Sequence, residues 1–71
     1  MKVKKFKKWL KDERLNKSLS QSDLAKELGI SIYTINNLEQ GKTLPNLKNV
    51  KLISEYFETS IEEIRKMMEE Q

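Results

Sequence analysis

The sequence contains no cysteine and no histidine. Their absence removes disulfides, thiolate nucleophiles, the usual zinc ligands and the side chain that most often serves as a general base. No metal, cofactor or catalytic centre is expected. Apolar runs are short as well: none exceeds two residues, as in Trp9-Leu10 and Leu52-Ile53, whereas a bilayer-spanning helix needs about 20. Met1 to Lys8 carries the positive charge of a secretion signal's first segment, but no apolar segment follows it. A soluble, cytoplasmic protein without membrane contact is the expectation. Its 71 residues suit one small domain over 1–71, and a chain of this size hides only about 60% of the surface it would expose unfolded. The core must be economical, and a buried cleft for multistep chemistry is not expected.

Charge is present and unevenly spread. Residues 1–17 hold eight Lys or Arg against Asp12 and Glu13, a net +6, residues 18–53 come to +1, and residues 54–71 come to −4. A basic front and an acidic tail suit a protein that turns one side to a polyanion. A solvated lysine-rich helix would account for the lysines alone.

Helical punctuation recurs along the chain. Phe6, Leu10 and the stem of Arg14 fall at i, i+4 and i+8, with Val3 and Trp9 beside them, predicting a helix over 3–16. Ser20 offers an N-cap to a second helix striped by Leu24, Ala25 and Leu28 and closed by Gly29. Ser31 opens a third, with Ile35 and Leu38 on its buried side and Gly41 at its left-handed C-terminal position. Pro45 breaks the chain, Asn46 caps a fourth helix over about 47–57, and Leu47, Val50, Ile53, Ser54 and Phe57 repeat along it. Ser60 and Glu63 have capping-box spacing ahead of a fifth helix striped by Ile61, Ile64, Met67 and Met68. All turns are a few residues long and no repeat intervenes, so the fold class is all-α, a compact five-helix bundle.

The second and third helices, about 21–40, carry a tighter pattern. Two helices joined by a three-residue turn cross closely only if the facing residue is small, as Ala25 is, and if the turn accepts positive φ, as Gly29 does. With Leu24, Leu28, Ile30, Ile35 and Leu38 at their spacings, this is a helix-turn-helix. The stretches "LSQSDLAKELGIS" (19–31), "TINNLEQGK" (34–42), Pro45 and "LISEYFETSIEEI" (52–64), with Arg14 seven places before Gln21, resemble the lambda-repressor-like, Cro and phage-repressor group of DNA-binding domains. The resemblance covers nearly the whole chain. It implies five helices, the third entering the DNA major groove, and a dimer on a palindromic operator. Two positions depart from the pattern. Glu13 stands where the family commonly has a core leucine, which Leu15 or Trp9 would have to replace, and Glu58 stands where glycine or asparagine is frequent.

Helix geometry indicates which residues of the third helix face outward. With Ile35 at zero and about 100° per residue, Leu38 falls near −60°, Tyr33 near 160°, Asn37 near −160° and Ile32 near 60°. Tyr33 and Asn37 oppose the core, Asn36 and Thr34 flank them, Gln40 lies a turn on, and Ile32 sits between core and groove. Ile32, Tyr33, Asn36 and Asn37 are the candidate base contacts: an asparagine amide pairs bidentately with adenine, a tyrosine offers a hydroxyl and a ring edge, and an isoleucine touches a thymine methyl or stays in the core. The set lacks arginine, the usual reader of guanine, and so favours A·T-rich half-sites. Ser31 and Thr34 at a helix N-terminus, Gln40, and Lys42 and Thr43 just past the third helix are candidate phosphate contacts, and the resemblance implies the same for Gln21. Ser20 and Ser31 have capping as their ordinary role.

The resemblance also implies a partly buried ion pair between Arg14 and Glu39 that fixes the third helix, although an arginine could serve phosphate alone. Ile61, Ile64, Met67 and Met68 on a helix over about 61–70 are either core or, as in the resembled family, a homodimer interface. Together these readings describe a sequence-specific regulator of transcription, a phage-type or mobile-element repressor without a sensor domain. The alternative is an antitoxin-type or other protein-interaction module on the same scaffold. With no nucleophile and base to pair, a hydrolase has no residues to carry it.

Overall fold

Side-chain oxygens that accept from backbone N–H groups start four of the helices, and left-handed residues stop four. The computed structural model describes residues 4–69, with α1 (Lys4–Asn16), α2 (Gln21–Leu28), α3 (Ile32–Gln40), α4 (Leu47–Phe57) and α5 (Ile61–Glu69) in chain order. No strand occurs among the described residues. Val3, expected in α1, and Glu70, expected in the last helix, lie outside them.

At the helix starts, Ser20 Oγ accepts from the Asp23 N–H at 3.0 Å, and the Asp23 carboxylate accepts in return from the Ser20 N–H at 3.1 Å. Ser31 Oγ accepts from Thr34 N–H at 3.1 Å and Asn46 Oδ1 from Asn49 N–H at 2.8 Å. Each satisfies a backbone donor with no partner inside its helix. The reciprocal box therefore forms at Ser20 and Asp23. At Ser60 and Glu63, where the spacing predicts one, the Glu63 N–H donates to Ser60 Oγ at 3.1 Å, while the exposed Glu63 carboxylate stays in water.

The first four helices all end in the same way. Ser18, Gly29, Gly41 and Glu58 have φ of 58°, 72°, 76° and 54°. The N–H of the residue after each one reaches back five positions: Leu19 to Arg14 O at 3.1 Å, and Ile30 to Ala25 O, Lys42 to Asn37 O and Thr59 to Ser54 O at 3.0 Å. This is the bond that satisfies a terminal helical carbonyl while turning the chain sharply. Leu19 and Ile30, the residues that follow two of the left-handed positions, also pack against the core.

The core draws on every helix. Phe6 and Leu10 of α1, Leu24, Ala25 and Leu28 of α2, Ile35 and Leu38 of α3, Val50, Ile53 and Phe57 of α4 and Ile64 of α5 are buried. Helix α1 packs on α3 and α5, α2 on α3, and α4 on α5. Trp9, half-buried, supplies what Glu13 does not: its ring meets Phe57 edge-on at 5.7 Å and lies 6.0 Å from Phe6. Leu15 makes no such replacement and is 53% exposed, because it sits about 100° from the stripe that runs through Phe6, Leu10 and Arg14. Leu47, counted above in the apolar repeat of α4, is also exposed, since it opens the helix beyond the edge of the core.

Two changes at left-handed positions should have opposite effects. A methyl added at Gly29 would have no atom within 4 Å, so Gly29→Ala should cost only its conformational strain, about 1–2 kcal/mol. Glu58→Gly should relieve that strain against a floppier unfolded chain, a net gain of about 0.5–1 kcal/mol and a few degrees in the unfolding midpoint. Thermal unfolding followed by circular dichroism compares the two signs directly.

The capping box also makes stability depend on pH. Asp23 is held below the ordinary carboxyl value of 3.8, first by the Ser20 backbone N–H and then by the Ser20 hydroxyl. Because the folded-state pKa is the lower one, the contribution is complete above the ordinary range and disappears as the pH falls through the lowered value. Urea unfolding between neutral and strongly acid pH should show this component in the wild type and lose it in Asp23→Asn.

Candidate nucleic-acid interface

Helix α3 is held from behind by a buried charge pair. Arg14 Nε donates to Glu39 Oε2 at 2.7 Å and Nη2 to Oε1 at 3.0 Å, while Nη1 reaches the Leu19 carbonyl at 2.8 Å. The two side chains are 9% and 4% exposed, so the guanidinium is spent inside the protein and is not offered to a phosphate. A planar fork against a carboxylate is the geometry in which a buried pair recovers the cost of leaving water. Hydrogen bonds to Glu39 raise the Arg14 pKa above its ordinary value, outweighing the opposing effect of burial.

From Glu39 a chain of amides leads to the surface. Gln21 Nε2 donates to Glu39 Oε1 at 3.1 Å, Asn36 Nδ2 to Gln21 Oε1 at 3.3 Å, and Gln40 Nε2 to Asn36 Oδ1 at 2.9 Å. This chain was not legible in the sequence reading. The only local sign of it is the i, i+4 spacing of Asn36 and Gln40, whose amides face each other across one helical turn. The link between Gln21 and Asn36 needs α2 and α3 already docked.

The side of α3 away from the core carries the candidate base contacts. Tyr33 is 77% and Ile32 50% exposed. Ile32 therefore faces outward, and its alternative place in the core falls away. Asn37 is half-buried, and its side chain makes no hydrogen bond among the described residues. Asn36, also half-buried, is engaged on both sides as above. The candidate phosphate contacts divide in the same manner. Lys42 and Thr43 are exposed beyond the C-terminus of α3, and Gln40 is exposed on its last turn. The hydroxyls of Ser31 and Thr34 are 2.9 Å apart and bonded to each other, while the Gln21 amide joins Glu39 and Asn36. Gln21 and Ser31 keep backbone N–H at the starts of α2 and α3, where the helix dipole favours an anion, whereas the Thr34 N–H is taken up by the Ser31 cap.

Helix α5 requires a correction. Ile64 is fully buried within its own chain and is not part of any surface offered to a second copy. The helix turns this residue inward against α1 and α4. Ile61, Met67 and Met68 lie half-buried beside it.

Comparison with known proteins matches residues 10–64 to the helix-turn-helix family, a span that includes Arg14, Gln21 and all of α3. A helix-turn-helix-type transcriptional regulator of Methanocaldococcus jannaschii is 46% identical over 55 residues, covering 78% of this chain and 83% of its own. The helix-turn-helix-type transcriptional activator BcrR of Enterococcus faecalis is 37% identical over 59 residues, covering 83% of this chain and 29% of its own. The cryptic phage CTXphi transcriptional repressor RstR of Vibrio cholerae is 33% identical over 60 residues, covering 84% and 54%. The chain thus spans less than two thirds of two of these relatives.

If the pair positions α3 as described, Glu39→Ala should destabilise the fold by about 3–5 kcal/mol, because Arg14 would be left buried and unpaired. Replacing both residues with methionine should recover a large part of that loss. A double-mutant cycle in urea measures the coupling, and strictly additive effects would remove the pair from its role.

Proposed function

Because the chain belongs to the helix-turn-helix family of the Cro and phage-repressor type, we propose that it is a sequence-specific, double-stranded DNA-binding transcriptional regulator, and a repressor. In this reading α3 lies in the major groove, with Ile32, Tyr33, Asn36 and Asn37 at base edges. Backbone N–H groups at Gln21 and Ser31 and the Thr34 hydroxyl, together with Gln40, Lys42 and Thr43, meet phosphates. The observation that carries the reading is the combination on one helix of a rear anchored by a buried charge pair and a front of exposed Tyr33 and Ile32 beside Asn37. Nothing in the core requires those front residues to be there.

Several features support the details. Lys5, Lys8, Lys11 and Lys17 lie exposed along and just after α1 and add to the positive field that draws DNA. No helix among the described residues is long and apolar enough to cross a membrane, in keeping with a regulator that works in the cytoplasm. The repressor assignment follows the likeness to RstR; the activator BcrR matches over only 29% of its length. Ile61, Met67 and Met68 are the α5 residues available to a homodimer, which would read a palindrome with half-sites about 34–36 Å apart. The reading includes no enzymatic activity.

Salt titration on random DNA and on DNA from the protein's own promoter region tests the proposal. Binding should weaken steeply with salt on both, and one palindrome should bind more tightly. Asn37→Ala should cost about 1–3 kcal/mol on that palindrome and relax its sequence preference, whereas Lys42→Ala should weaken all DNA alike and lower the salt slope by about 1. Equal, weak binding to every sequence would overturn the reader and leave a protein-interaction module.

A further inference from the structure

The hydrogen bonds between Glu39 and the surface of α3 run in one direction. Both Glu39 oxygens accept from Arg14, at 2.7 Å and 3.0 Å, and an ionised carboxylate has no proton to give. Gln21 must therefore meet it with Nε2, as it does at 3.1 Å. That turns Gln21 Oε1 toward α3, where only a donor can face it, and Asn36 supplies Nδ2 at 3.3 Å. Asn36 Oδ1 is then directed at Gln40, which donates Nε2 at 2.9 Å. The two ends of a primary amide are nearly alike in shape, so a solvated asparagine or glutamine can present either. In this chain, flipping one amide alone sets oxygen against oxygen or N–H against N–H. The charge on Glu39 thus decides the orientation of three amides, the last of them on the exposed face.

We propose that Gln21 is a specificity-determining positioning residue: it transmits the polarity of the buried Glu39 carboxylate to Asn36, so that Asn36 distinguishes a base pair from its reverse. The proposal rests on the DNA-reading function above and adds what that function does not supply. Bidentate recognition of adenine needs an amide oxygen at N6 and an amide nitrogen at N7. An asparagine free to flip can offer these in either order across the groove, and so accepts A·T and T·A alike. Asn36 offers one order, nitrogen toward α2 and oxygen toward the end of α3. Asn37, with no internal hydrogen bond among the described residues, has no such constraint.

Gln21→Met isolates the effect, because the side chain keeps its length, the ion pair keeps both members and only the relay is cut. Binding-site selection from randomised duplexes compares the wild type, Q21M, N36A and the double variant. The wild type should favour one order of a single A·T pair over its reverse by about tenfold, and Q21M should bring that ratio to within about twofold while sparing the other positions. N36A should abolish the same preference, and Q21M should change nothing further in its presence. If Q21M weakens all sequences uniformly and the orientation preference survives, Gln21 is a phosphate contact only and the proposal is overturned. Absence of any sequence preference in the wild type would instead refute the DNA-reading function, and this inference with it. A second measurement needs no DNA: the Asn36 side-chain amide protons should exchange slowly in wild-type NMR spectra and at the solvent rate in Q21M. Unchanged exchange would also overturn the proposal, and Gln21→Ala provides both readouts if Q21M does not fold.

Discussion

The contact on which the rest of this structure depends is the forked pair between Arg14 and Glu39. It joins the end of α1 to the end of α3 across the turn that leads into α2, and so sets the angle at which α3 is displayed. Burying two charges gains little stability by itself, since desolvation consumes much of the attraction. The pair contributes geometry instead. Apolar contacts such as Ile35 and Leu38 hold α3 against the core but tolerate small rotations, whereas two parallel N–H to oxygen bonds do not. A lysine at position 14 could supply charge but not the fork.

The pair is coupled to the local backbone. Ser18 takes up a left-handed conformation that an L residue adopts at a cost. With that turn, the Leu19 N–H reaches the Arg14 carbonyl at 3.1 Å while the Leu19 carbonyl receives Arg14 Nη1 at 2.8 Å. Strain at Ser18 and the third hydrogen bond of the guanidinium thus belong to one small unit. The same style of ending recurs at Gly29, Gly41 and Glu58. Sharp, hydrogen-bonded stops let helices of eight to thirteen residues fold back on one another with turns too short to wander.

Helix α5 illustrates how a small fold divides one helix between two tasks. Ile64 enters the core and pins the helix, which leaves Ile61, Met67 and Met68 as the partly covered remainder. An apolar stripe in a sequence does not say where that division falls. It depends on how deeply the helix sits against α1 and α4, and depth is a property of the packed bundle.

Much of the fold was legible in the chain itself. Ser20, Ser31 and Asn46 mark helix starts by the chemistry of their side chains, and Gly29 and Gly41 mark stops through their freedom at positive φ. The periodicity of Phe6, Leu10, Leu24, Ile35, Ile53 and Ile64 identifies the inward faces. These signals act within a few residues, so sequence alone determines them. The left-handed residue at Ser18, the exposure of Leu15 and Leu47 and the outward setting of Ile32 were decided elsewhere, by which neighbours the assembled helices bring near. The amide chain from Glu39 to Gln40 is the clearest case. Its members are separated by as many as 18 residues in a single link, and each is an ordinary polar side chain until α1, α2 and α3 dock. Local chemistry determined where the helices are. Only tertiary packing decided which polar groups would meet, because a hydrogen bond is specified by distance and direction in space, and the order of residues along the chain fixes neither.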